Sequence, residues 1–184
     1  ADLVRKGFVD ELGYSVDGLD AVTQHISWVT DRIPQKLHEY CLELAHIGYE
    51  ARSVSPTDLG VADEAWLRGS MAYAYSAVEW HMNERETKAG RRNQTLFALA
   101  RCVGEQFKAP EVEASLREQF PTSTHGVTLN VPQVLSDLAS GDRPLIRRSP
   151  KGDAYSFVDP TFRMALRGML MKTDSERVEK RPIS

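Results

Sequence analysis

Few side chains in this chain are spaced for chemistry. His38 and Cys41 stand three residues apart on one helical stretch, with His46 further along. That spacing can present two metal ligands, but zinc sites usually need four and no second pair is present. Both residues therefore read as ordinary helix positions. Glu79 and His81 flank Trp80. Residues two apart face away from each other on a helix, so they form no acid–base dyad. No serine lies in a Gly-x-Ser-x-Gly frame, which leaves no nucleophile elbow. There is no Gly-x-x-x-x-Gly-Lys-Ser/Thr phosphate loop, and no apolar strand ends in paired acids for Mg²⁺. The chain alone is not expected to be an enzyme or to hydrolyse ATP.

Basic residues gather elsewhere. Arg143, Arg147, Arg148 and Lys151 fall around a short hairpin pattern and can present charge to phosphates. Thr122, Ser123, Thr124, His125, Thr128 and Asn130 offer short hydrogen-bonding groups before a helix, where backbone N–H groups also favour phosphate. Gln133 can reach a base edge. That helix carries no Lys or Arg and does carry Asp137, so phosphate contact rather than sharp sequence reading is expected. Side chains alternate along a strand. Arg147 and Arg148 thus point to opposite faces; Leu145 shares Arg147's face and Ile146 shares Arg148's, so parity leaves both open, and Arg148 is favoured as the DNA-facing one.

The elements that must position these residues are mostly helices. Val22, Ile26 and Val29 recur at helical spacing from Leu19 to near Asp31. Pro34 opens a second helix whose stripe of Leu37, Tyr40, Cys41, Leu44 and Ile47 runs to about Arg52. Ser55-Pro56-Thr57-Asp58 has the form of a capping box. The helix it starts is expected to pause at Gly60, resume through Trp66, Tyr73 and Trp80, and end near Glu84. Glu86–Gly90 reads as a boundary, and the Glu84, Arg85, Glu86, Lys88 cluster as a solvated helix end. Beyond it come a helix near Asn93, with Leu96, Phe97, Leu99 and Val103 inward, and a second opened by Pro110. A polar loop spans Pro121–Thr128. Asn130 is placed to cap a third helix, Val131–Ser140. Pro144–Ser149 and Ala154–Val158 read as two short strands around a turn, the only substantial β-structure expected. Asp159-Pro160 caps a last helix. Thr173–Ser184 is polar and reads as a disordered tail.

Composition is that of an ordinary soluble protein, 41% hydrophobic and 27% charged. No apolar run spans a bilayer and no signal segment opens the chain. The two cysteines, Cys41 and Cys102, read as buried thiols of a cytoplasmic protein, with a disulfide between them as the alternative. Because the chain begins with Ala1, it is expected to be a processed protein or part of a longer one. Residues 1–89 carry 8 Lys+Arg against 15 Asp+Glu, whereas residues 90–172 carry 12 against 8. This contrast points to two units with different partners, or to acidic solvent faces alone.

Three helices, a two-stranded hairpin and a helix make the order of a winged helix-turn-helix domain, with the third helix for recognition and the hairpin as wing. The stretch from Leu145 to Arg163, with Phe157-Val158-Asp159-Pro160-Thr161-Phe162-Arg163 at its end, resembles the C-terminal wing of AAA+ and related P-loop ATPases. Thr30-Asp31-Arg32-Ile33-Pro34-Gln35-Lys36-Leu37 resembles the lid of the same ATPases, of the origin-recognition and Cdc6-like kind, where Gly-x-Pro-x-x-Leu opens a long helix. Arg32 stands where that family has glycine, and Gln35 where many members have a nucleotide-sensing arginine. The resemblance implies a mainly α chain: a helical lid-like domain at 1–89, a winged helix at 90–172, and a tail at 173–184. It also implies a nucleotide-binding core, with ATP and Mg²⁺, outside these residues. Arg32 would then start a helix facing that nucleotide and contact phosphate, an exposed loop arginine being the alternative. The expected function is the regulatory and DNA-binding end of such an ATPase. The alternatives are a protein-interaction module linking an ATPase to its complex, and a stand-alone winged-helix transcription regulator. Expected partners are DNA, the ATPase core, and protein partners or further copies of the chain, but no membrane.

Overall fold

The computed structural model describes residues 2–83 and 91–181. The expected boundary at Glu86–Gly90, the cluster around Glu84 and the last three residues of the tail lie outside them. The chain is mainly helical, with three two-stranded sheets among the described residues. None of its helices there is long and apolar enough to cross a membrane. Contacts divide it into two units, Ala1–Ala72 and Tyr73–Ser184. The division falls earlier than residue 89, so the helix carrying Trp80 belongs with the hairpin.

In the first unit, α1 (Asp2–Arg5) runs into a π-helical turn (Lys6–Glu11) that buries Phe8 against Tyr14. Two short strands that the sequence pattern does not announce, β1 (Ser15–Val16) and β2 (Ser53–Val54), pair in parallel. Helix α2 (Leu19–Val29) buries Val22, Ile26 and Val29 completely. Helix α3 (Pro34–Ile47) buries Tyr40 and Leu44 but stops short of Arg52. It ends because the chain turns back at Gly48, where an added Cβ would lie 2.3 Å from the Ser53 carbonyl oxygen. Only glycine permits that approach. The Ser55–Asp58 capping box forms, the Ser55 N–H donating to Asp58 Oδ2 at 2.8 Å. A 3₁₀ turn then leads into α4 (Leu59–Arg68). Gly60 lies inside α4, and the break expected there comes at Gly69 instead. Trp66 of α4 is fully buried with its ring edge-on to Tyr40, centroids 5.4 Å apart.

The second unit opens inside α5 (Ala72–His81), from Tyr73 on. Helix α6 (Arg92–Leu99) is buried from Asn93 to Leu99 and forms the centre of the unit. Around it stand α7 (Ala109–Gln119), the single turn α8 (Pro121–Thr124) within the expected polar loop, and α9 (Val131–Leu138). Strands β3 (Ile146–Arg148) and β4 (Tyr155–Phe157) pair antiparallel, followed by α10 (Pro160–Met169). Asp159 caps α10 by accepting the Thr161 N–H at 2.8 Å. Phe107, between α6 and α7, exchanges two backbone hydrogen bonds of 2.9 and 2.8 Å with Tyr155. The hairpin thereby gains a third line of backbone.

Two expectations fail here. Val103, placed inward from its helical phase, is 92% exposed because α6 has already ended at Leu99. The tail is not disordered over its described part. Strand β5 (Leu170–Lys172) pairs antiparallel with β6 (Val178–Lys180). The Glu176 carboxylate in their turn accepts the backbone N–H groups of Thr122 and Ser123, at 3.0 and 2.7 Å. The Gln94 amide donates to the Glu176 carbonyl at 2.9 Å. A polar segment is ordered because its one buried anchor, Val178, and its hydrogen bonds both find partners.

Candidate nucleic-acid interface

The β3–β4 register places Ile146 opposite Phe157, Arg147 opposite Ser156, and Arg148 opposite Tyr155. Ile146, Tyr155 and Phe157 are buried, so the face they share looks into the core. Arg148 sits at the edge of that same face. Its guanidinium lies 5.4 Å from the Tyr155 ring centroid and donates to the Tyr155 hydroxyl at 2.9 Å. Arg147 is on the outer face, its Nε donating to Ser156 Oγ at 3.2 Å. Arg147 and Arg148 are both exposed, and strand alternation puts Arg147, rather than the Arg148 expected to meet DNA, on the face away from the core. Lys151 is exposed at the hairpin tip, beside Gly152, whose φ of +76° supplies the left-handed step of the turn. Among the described residues, Arg143, Arg147, Arg148 and Lys151 form no ion pair with a carboxylate.

Arg143 precedes β3 and is held from beneath. His81, buried at the end of α5, donates from Nε2 to the Arg143 carbonyl at 2.7 Å. Burial lowers the His81 pKa; the carbonyl contact opposes this and the Arg92 charge adds to it. The Arg143 guanidinium lies 5.1 Å from the centroid of Trp80, which is 68% exposed.

The helix-start residues are placed differently from expectation. Thr124 is buried, and its hydroxyl donates to the Phe120 carbonyl at 2.7 Å, leaving it unable to meet a ligand. The N–H groups of Thr122 and Ser123 already hold Glu176, so the chain supplies its own anion there. Burial raises the Glu176 pKa, but those hydrogen bonds outweigh it and hold the carboxyl below its ordinary value. Asn130 occupies the N-cap position of α9 without a side-chain cap hydrogen bond. It is exposed, as is His125, and it lines a shallow groove of about 260 Å³ with Arg91, Thr95 and Val134. Gln133 is exposed but donates to Asp137 Oδ1 at 2.8 Å, four residues on. A base edge would have to compete with that contact.

In the first unit, Arg32 is exposed with φ +60°, after Asp31 with φ +53°. The Arg32 N–H donates to the Ser27 carbonyl and the Asp31 N–H to that of Trp28, at 3.1 and 3.3 Å. That is a Schellman ending for α2. Sequence reasoning missed a buried network nearby. Asp63 Oδ1 accepts from the Tyr40 hydroxyl at 2.8 Å and lies 2.8 Å from His25 Nε2. Its residues are scattered over three helices, and no spacing announces them. His38 and His46 are exposed on α3.

Comparison with protein-family models, with curated proteins and with solved structures finds no match.

Among the described residues no group of three His, Cys, Asp or Glu is placed to hold a metal. The sequence holds no phosphate loop. Both cysteines are free, and burial pushes Cys41 up to about 12. Burial, helped by Glu111 and opposed by Arg163, pushes Cys102 up to about 11. Neither thiol is a nucleophile near neutral pH.

Proposed function

We propose that residues 91–172 form a winged helix that binds duplex DNA through its hairpin, and that the chain is the lid and DNA-binding region of an AAA+-type ATPase. The order of α6, α7, α9, hairpin and α10 supports the winged helix. So does the Phe107–Tyr155 pairing, which ties the hairpin to the segment between the first two helices. The left-handed Arg32 supports the lid reading, because the position where the resembled family has glycine is one whose backbone favours glycine.

The observation that carries DNA binding is the set of exposed cations on and beside the hairpin, with no carboxylate partner among the described residues. Arg147 on the outer face, Lys151 at the tip and Arg143 at the base line one element. Phosphates meeting them release counterions, which supplies affinity without reading sequence. Helix α9 adds little charge, since its Asp137 pairs with Arg92 and takes the Gln133 amide.

The test is a fluorescence-anisotropy titration of the full chain against a labelled 16-base-pair duplex. Binding weaker than about 1 μM, similar for unrelated sequences and steeply salt-dependent, is expected. No binding at low salt would turn the reading to a protein-interaction module that links an ATPase to its complex.

A further inference from the structure

We propose that Trp80 and Arg143 form a stacking platform for an unpaired nucleobase, reached by a strand leaving the duplex bound on the hairpin. The proposal rests on the DNA reading of the hairpin and names the form of DNA it prefers. A tryptophan is rarely left in water, yet Trp80 is 68% exposed at the end of α5. Its neighbour His81, turned about 100° round the helix, is buried. The His81 bond to the Arg143 carbonyl then fixes the Arg143 backbone beside the ring. The guanidinium lies over the ring at 5.1 Å, within cation–π range. With the cation over the ring and two-thirds of the side chain still exposed, the opposite face is open to a ligand.

The chemistry of that pair selects its occupant. A flat aromatic face backed by a guanidinium takes a π-surface joined to an anion, and a nucleotide is both. Bases inside a duplex cannot offer their faces, so the occupant is an unpaired one. The nearby charges permit it. Glu79, next to Trp80, is paired with Lys180. Asp142 adjoins Arg143 and works against it, so selectivity must come from the ring rather than from net charge. Position agrees as well. Arg143 stands at the base of the hairpin whose outer face and tip carry Arg147 and Lys151. A strand following those cations passes Arg143 to reach Trp80. Tyr73, 74% exposed, lies seven residues earlier on the same face of α5, about 10 Å along the axis, and offers a second ring.

The experiment compares a blunt 16-base-pair duplex with the same duplex carrying six-thymidine overhangs. The full chain and its Trp80→Ala and Trp80→Phe variants are each titrated by anisotropy and by intrinsic tryptophan fluorescence. The wild type is expected to bind the overhang duplex about fivefold to a hundredfold more tightly, with quenching. Trp80→Ala should lose that preference while keeping its blunt-duplex affinity within about twofold. Trp80→Phe should keep part of the preference and lose the quenching, since Trp28 and Trp66 lie in the other unit. Equal affinity of the wild type for both duplexes, or a preference that survives Trp80→Ala, overturns the platform and leaves the DNA reading standing. Failure to bind either duplex overturns both and points to a protein covering Trp80.

Discussion

Replacing Arg147 and Arg148 by alanine, one at a time, separates a phosphate contact from a folding contact. Strand parity puts Arg147 on the outer face and Arg148 on the edge of the core face, against Tyr155. If Arg143, Arg147 and Lys151 each neutralise one phosphate, log affinity falls with log salt at a slope of about −2.7, from ~0.9 per contact. Between 50 and 200 mM salt that is a loss of about 40-fold. Arg147→Ala should reduce the slope to about −1.8 and the loss to about 12-fold, equally for unrelated duplexes. Arg148→Ala should leave the slope unchanged. It should instead lower stability by about 1 kcal/mol, through loss of the guanidinium–ring contact and the bond to the Tyr155 hydroxyl. Anisotropy titrations at four salt concentrations give the slopes, and urea unfolding gives the stability. Equal slopes for Arg147→Ala and wild type, or a reduced slope for Arg148→Ala, would refute the face assignment and the role built on it.

Other expectations follow from single contacts. Glu176 has a lowered pKa, so its hold on Thr122 and Ser123 contributes fully above the ordinary glutamate range and is lost as pH falls through the folded value. The protection factor of the Thr173 amide, which donates to the Arg177 carbonyl at 2.9 Å, should fall in acid, and Glu176→Gln should lower it roughly fivefold at neutral pH. His81 also has a lowered pKa, so the unfolded chain takes up its proton first as pH drops below 6.5 and stability falls with it. Urea midpoints at pH 5.5 and 7.5 should differ less in His81→Gln than in the wild type. Arg32→Gly relieves a left-handed strain of about 1–2 kcal/mol, partly offset by the greater freedom of glycine when unfolded. It should raise the melting temperature, and a lower one would count against the φ of +60°.

Features written in adjacent residues were legible in the sequence. The Ser55–Asp58 box and the Asp159 cap both form as expected, because each needs only neighbours. Helices α2, α3, α9 and α10 followed their apolar periods. Features that depend on a distant partner were not legible. Strands β1 and β2 are two residues each and exist only because Gly48 lets the chain fold back on itself. Strand β6 is polar apart from Val178, and its turn is anchored by a carboxylate whose partners lie more than fifty residues earlier. Parity alone did not decide between Arg147 and Arg148, because Ile146 shares a face with Arg148 and Leu145 with Arg147, and both apolar residues are buried. The cross-strand partners Tyr155 and Phe157, which only the pairing supplies, mark the Arg148 face as the one turned to the core.

The candidate site shows the same division, and it turns on charge. Residues 90–172 hold twelve Lys and Arg, and the sequence alone ranks none above another. The fold does. Arg101, Arg163 and Arg167 donate to the carbonyls of Phe97, Gly104 and Ala100, at and just past the C-terminal end of α6, where the helix dipole favours cations. Arg92, Lys108 and Arg117 meet Asp137, Asp153 and Glu113. Arg91 and Lys172 donate to Gln94 and to the Gln119 carbonyl. What remains is the hairpin set, which meets no carboxylate among the described residues; of it Arg148 leans on Tyr155 and Arg147 donates to Ser156 Oγ. The modest positive balance of this region is therefore concentrated on one element, with an exposed tryptophan at its base. A charge count sees a mildly basic domain; the list of partners sees a line of three cations leading to an aromatic face.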